Sequence, residues 1–116
     1  MSGEPIIDRT ALDRLRRIGG EKLLRKMVAL FLESGPERLR AVTECAAAGD
    51  VSGVERAVHG MKSSAGNVGA IRLQRTAEAI EARAVAGSID GGSVQRLTGD
   101  YDDSAAELRR VLTEET

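Results

Sequence analysis

From Val51 to Val68 the apolar residues fall at Val51, Val54, Val58, Met61, Ala65 and Val68. Steps of three and four make one stripe along a helix. Gly49 can end the element before it, and Asp50 can cap this one. The same rhythm recurs along the chain. Leu12, Leu15 and Ile18 mark a short helix over Ile7–Ile18, capped by Asp8 or Thr10 and stopped by Gly19-Gly20. Glu21 to Ala48 is the longest helical stretch. Its Leu23, Leu24, Met27, Val28, Leu30, Phe31 and Leu32 spread around more than one face, as contact with two neighbours requires. Leu39, Val42, Cys45 and Ala46 continue its buried side. Gly35-Pro36 interrupts this stretch, either as a break with Pro36 at a new N1 position or as a kink in a continuous helix. Ala70, Leu73, Ala77, Ile80 and Ala84 predict a helix over Ala70–Ala86. After a polar turn at Gly87–Gly92, Val94, Leu97, Tyr101, Ala105, Leu108 and Leu112 predict a last helix over Ser93–Glu114.

No strand alternation and no internal repeat interrupts this pattern. The expected fold is all-α: an antiparallel up-down four-helix bundle with a short extra N-terminal helix. At 116 residues, the chain is expected to form one domain over 1–116, with a single modest core. Met1–Pro5 reads as a frayed start, with no charged-then-apolar leader. No apolar run is long enough to cross a membrane.

Composition narrows the function classes. The chain has 17 Lys and Arg against 18 Asp and Glu, so no basic excess favours nucleic acid. Aromatic residues are 2% of the chain, too few to build stacking platforms for single strands. The lone Cys45 excludes an internal disulfide and fits a reducing, cytoplasmic setting. Among alanines, it reads as a small core residue. There is no CxxC, HExxH or glycine-rich phosphate loop. One histidine cannot build a histidine-rich metal site, and Asp100, Asp102 and Asp103 lack calcium-loop spacing and read as a solvated run. No metal and no cofactor is expected.

That histidine, His59, is the candidate for chemistry. At about 100° per residue it projects roughly 130° from the centre of the Val51–Val68 stripe. It therefore belongs to the polar face, with Ser52, Glu55, Arg56, Ser63 and Gly66. An ordinary surface histidine is one reading of that position. The neighbours favour another. Lys62 at i+3 and Ser63 at i+4 stand one turn away. Ser63 and Gly66 add little bulk, which leaves room for another protein to approach. Gly53, Gly60 and Gly66 each cost the helix about 1 kcal/mol relative to Ala, which asks for a packing or access explanation. Imidazole is nucleophilic near neutral pH and can carry a phosphoryl group, with Lys62 offsetting charge on its oxygens. A second group would have to hold the other ring nitrogen.

The run His59-Gly60-Met61-Lys62-Ser63-Ser64-Ala65, followed by Asn67-Val68-Gly69-Ala70, resembles the signature of histidine-containing phosphotransfer (HPt) domains. That pattern is His-x-x-Lys-Gly-Ser-Ser/Ala-x-Asn-Leu-Gly-Ala, and Ser63 departs from it where the family most often has Gly. The length and helix order fit as well. The resemblance implies that His59 accepts phosphate and that Lys62 neutralises its charge. It also points to Glu81 as a hydrogen-bond partner of the imidazole, the alternative being a solvated surface carboxylate. It implies that the short first helix caps the end of the bundle, and that Pro36 sits in a kink.

The resemblance further implies a phosphorelay intermediate. A receiver-domain phosphoaspartate donates to His59, which passes the group to an aspartate of another receiver. The expected partners are response-regulator receiver domains and a hybrid sensor histidine kinase. The receiver brings the divalent metal and most of the catalytic geometry, and no autokinase activity is expected. Ser63, Gly66 and Arg56 are the expected docking residues, together with apolar and small residues of the first helix and the His59 helix. The apolar seams close on themselves, so a monomer is expected. Two alternatives are a helical adaptor that binds receivers or kinases without accepting phosphate, and the phospho-accepting module of a larger sensor kinase. The initial Met and the short tail after the last helix favour a free-standing protein.

Overall fold

The computed structural model describes residues 5–114. The expected frayed start lies outside them, except for Pro5. The described residues form four helices: α1 (Arg9–Ala47), α2 (Val51–Asn67), α3 (Ile71–Val85) and α4 (Gly91–Glu114). They pack in a ring, α1 on α2, α2 on α3, α3 on α4 and α4 on α1. The result is the antiparallel up-down bundle that the periodicity predicts.

The extra N-terminal helix is present as the first arm of α1. Residues 9–19 and 21–47 are helical, and the chain turns between them at Gly20, where φ is 70° and ψ is −169°. A side chain there would meet the steric penalty of the left-handed region, so glycine is the residue that allows the arm to bend away. The Asp8 carboxylate caps the arm by accepting from the Thr10 N–H at 3.1 Å. The Asp8 N–H donates to the Gly69 carbonyl at 2.7 Å, which fixes the arm against the α2–α3 turn. Ile7 and Leu12 are buried beneath it. The arm therefore closes one end of the bundle.

The expected kink at Pro36 does not appear as a departure from helical dihedrals; Gly20 is the one non-helical position inside α1. Proline has no N–H to offer the Leu32 carbonyl one turn back. Tyr101 of α4 approaches that gap. Its hydroxyl lies 3.4 Å from the Leu32 oxygen and 3.3 Å from the Phe31 oxygen. Its ring stacks at a tilt on Phe31, 5.0 Å between centroids. Gly35 is buried, and a Cβ there would overlap severely with Tyr101 Cε1 and the hydroxyl oxygen. Gly35 provides the space and Pro36 the free acceptor, so this pair docks α4 onto α1.

The core draws on all four helices. Leu24, Val28, Phe31 and Val42 meet Val54, Val58 and Met61, then Leu73 and Ile80, then Leu97 and Leu108. In the last turns of α4, Val111 is fully buried and Leu112 only partly, one position from the predicted seam. The buried side of α4 places Asp100 against α3, where it accepts from the Thr76 hydroxyl at 2.5 Å. Asp100 is therefore half-buried and paired, not part of a solvated run. Leu30 is half exposed at 50%, so part of the broad apolar surface of α1 faces outward. No helix among the described residues is long and apolar enough to cross a membrane.

Candidate functional site

The site is built on the facing surfaces of α2 and α3. Asp50 caps α2, accepting from the Gly53 N–H at 2.9 Å. Val54, Val58, Met61 and Ala65 lock the apolar stripe into the core. With that face buried, the helical repeat turns His59 outward, and its side chain is 63% exposed. Lys62 is on the adjoining face and 28% exposed. Ile80 pins α3 in the core, and Glu81, the next residue, leans toward α2 with 18% exposure.

Glu81 joins the two. Its Oε2 lies 2.7 Å from His59 Nδ1, and its Oε1 accepts from Lys62 Nζ at 2.6 Å. An ionised carboxylate only accepts hydrogen bonds, so Nδ1 is the ring nitrogen that carries hydrogen. In the neutral ring, Nε2 then holds the lone pair. The Lys62 ammonium first, and the His59 ring second, hold the Glu81 carboxyl below the ordinary carboxylate range, against the burial that raises it. Glu81 in turn raises Lys62 above the usual lysine value. The carboxylate thus stays ionised at neutral pH and keeps both partners. One carboxylate orients the imidazole and tethers a cation beside it.

The docking candidates are not all on one side. Ser63 is exposed and lines a groove between α1 and α2, with Met27, Leu30, Phe31, Arg38 and Gly60. Arg56 is exposed and lines the adjoining hollow, with Ser34, Glu37, Arg38 and Ala57. Gly66 instead approaches α3, where a Cβ would lie 3.3 Å from the Gln74 amide nitrogen. The sequence reading missed Arg38. Its place beside Gly60 comes from the packing of α1 on α2, and no local spacing signals it. Cys45 is half-buried against the core. Among the described residues no group of three or more His, Cys, Asp or Glu could hold a metal ion.

A family model described as the Hpt domain matches residues 26–111. Among solved structures, the chain is similar to histidine-containing phosphotransfer protein B (HptB) from Pseudomonas aeruginosa PAO1. The TM-score is 0.88 at 20% identity, covering 97% of this chain and 98% of that one. It is also similar to the HPT domain from the Hpt sensor hybrid histidine kinase from Shewanella, with a TM-score of 0.81 at 14% identity, over 94% of this chain and 95% of that one. At these identities the two structures speak to the fold. No curated protein matches the chain in sequence.

Proposed function

The chain belongs to the Hpt domain family, whose members carry phosphoryl groups on histidine in two-component relays with receiver domains and histidine kinases, and from that premise we propose that His59 is its phospho-accepting residue. The observation that carries the assignment is the shared Glu81 carboxylate, which holds Nδ1 of the exposed imidazole and tethers Lys62 beside it. In the forward step the Nε2 lone pair of His59 attacks the phosphorus of a receiver's aspartyl phosphate. The N–P bond forms as the P–O bond to the aspartate breaks, and the aspartate leaves as a carboxylate. The hydrogen on Nδ1 stays in its bond to Glu81, which offsets the positive charge that the ring gains. Lys62 faces the charge on the phosphoryl oxygens. Transfer to a second receiver reverses these bonds, so direction follows the relative populations of the partners.

On this reading the divalent metal and the remaining catalytic geometry belong to the receiver, and the chain has no autokinase activity. Residues 1–116 act as one domain and as a monomer, in the cytoplasm. Ser63, Gly66 and Arg56 contribute to docking. The test is transfer of labelled phosphate from a purified phospho-receiver to wild type and to His59→Gln. The expected label is acid-labile, base-stable and confined to wild type. Binding of several receivers with no label on wild type would overturn the relay and favour an adaptor.

A further inference from the structure

The groove between α1 and α2 runs along the helix that carries His59. Gly60 follows His59 directly, and Ser63 stands one turn beyond. Arg38 of α1 lies across it. A Cβ at Gly60 would strike Arg38 Nη1, so the absence of a side chain at residue 60 is what lets the guanidinium settle there. The Ser34 hydroxyl, 3.4 Å from Arg38 Nε, steadies the stem on its own helix. Arg38 is half-buried and lines both hollows of the groove, and Arg56 lines the outer one. Arg56 is three residues before His59, one turn back along the same helix.

Neither arginine makes an ion pair with a described residue, although Glu37 lines the same hollow. Lys62 differs, because Glu81 holds it. A half-buried guanidinium with no anion is a poor way to stabilise a fold. It is a suitable way to recognise a carboxylate, which its planar fork of donors matches. The apolar floor of the groove, Met27, Leu30 and Phe31, excludes water around such a contact.

We propose that the α1–α2 groove is a specificity-determining contact for the receiver, with Arg38 binding an aspartate or glutamate side chain on the receiver's face and Arg56 drawing that acidic face in. The partner class rests on the relay reading above; the groove, its cations and their lack of ion pairs do not. Arg38 acts on docking, not on the reacting atoms. Gly60 acts through Arg38, because a methyl group at residue 60 would displace the guanidinium and disturb nothing else within 4 Å.

The experiment measures receiver binding by calorimetry, and phosphoryl transfer against receiver concentration, for the full chain and its Arg38→Gln, Arg38→Lys, Arg56→Gln and Gly60→Ala variants. Arg38→Gln is expected to weaken binding about tenfold and to raise the half-saturating receiver concentration to match, with the saturating rate kept. Arg38→Lys recovers part of the loss. Arg56→Gln, at an exposed position, weakens binding by about two- to threefold and flattens its dependence on salt. Gly60→Ala raises thermal stability while weakening binding, and adds little on top of Arg38→Gln. Unchanged binding in Arg38→Gln and Arg56→Gln overturns the proposal. So does a fall in saturating rate at unchanged affinity, which would put Arg38 on the phosphoryl group instead. Wild type that binds receivers through Arg38 but takes no label overturns the relay reading and leaves the groove assignment standing.

Discussion

Replacing Glu81 with alanine removes both contacts that define the site. The side chain is at the margin of the bundle, and alanine suits the middle of a helix, so the fold should survive. What is lost first is the 2.7 Å bond that holds His59 Nδ1. A hydrogen bond to a charged acceptor contributes about 1.5–3 kcal/mol. At about 1.36 kcal/mol per factor of ten, losing it at the transition state slows transfer by about 10- to 150-fold. The assay is rapid-quench transfer from a labelled phospho-receiver at saturating concentration, with circular dichroism as a check on folding. Glu81→Gln provides the control. Its amide oxygen can still accept from Nδ1–H, so orientation returns while charge does not, and its rate should fall between alanine and wild type. Nitrogen-15 shifts of the ring should show hydrogen on Nδ1 in wild type and a tautomer mixture in Glu81→Ala. Transfer by Glu81→Ala within twofold of wild type would refute the reasoning, because the ring would then be held without Glu81. Equal slowing by alanine and glutamine would assign the effect to charge alone.

The pH dependence of stability follows from the same carboxylate. Folding lowers the Glu81 pKa below its ordinary 4.5, so its contribution is whole above 4.5 and is lost as pH falls through the lower folded value. Folding raises Lys62 above 10.5, so its contribution is whole below 10.5 and is lost as pH climbs through the higher folded value. Urea melts of wild type and Glu81→Gln should therefore differ most between those limits and converge in acid; a constant gap down through the acid range would contradict the pairing. Gly35→Ala should destabilise by about 1–3 kcal/mol, because its Cβ overlaps the Tyr101 ring, and a chemical melt at unchanged midpoint would disprove the close approach. Tyr101→Phe keeps the ring on Phe31 but leaves the Leu32 carbonyl without the hydroxyl, at a cost of about 1 kcal/mol in the same melt.

The helices and their buried faces were legible along the chain because an apolar stripe with steps of three and four has one stable outcome, burial against other stripes. That logic located the Val54–Val58–Met61–Ala65 seam, and with it the outward side of α2 on which His59 stands. Local chemistry also marked Asp50 as a cap and Gly19-Gly20 as the end of the first helical segment, where the chain turns at Gly20. Pattern reading was weaker where a residue's environment comes from another helix. Asp100 looked solvated among aspartates, yet Thr76 of α3 pairs it. Gly35-Pro36 looked like an interruption, yet the ring and hydroxyl of Tyr101 fill what it leaves open.

The candidate site divides along the same line. His59 and Lys62 are three residues apart, so helical geometry alone makes them neighbours. Glu81 is on another helix, and periodicity left it equally able to be a solvated carboxylate; only the register of α3 against α2 brings it within 2.7 Å of the ring and 2.6 Å of the ammonium. Arg38 had no signal at all, since its place over Gly60 depends on how α1 crosses α2. Sequence periodicity determines which face of a helix is buried, because burial is set residue by residue. Which polar groups meet across two exposed faces is set by rigid-body packing of the whole bundle, and that information exists only in the tertiary structure.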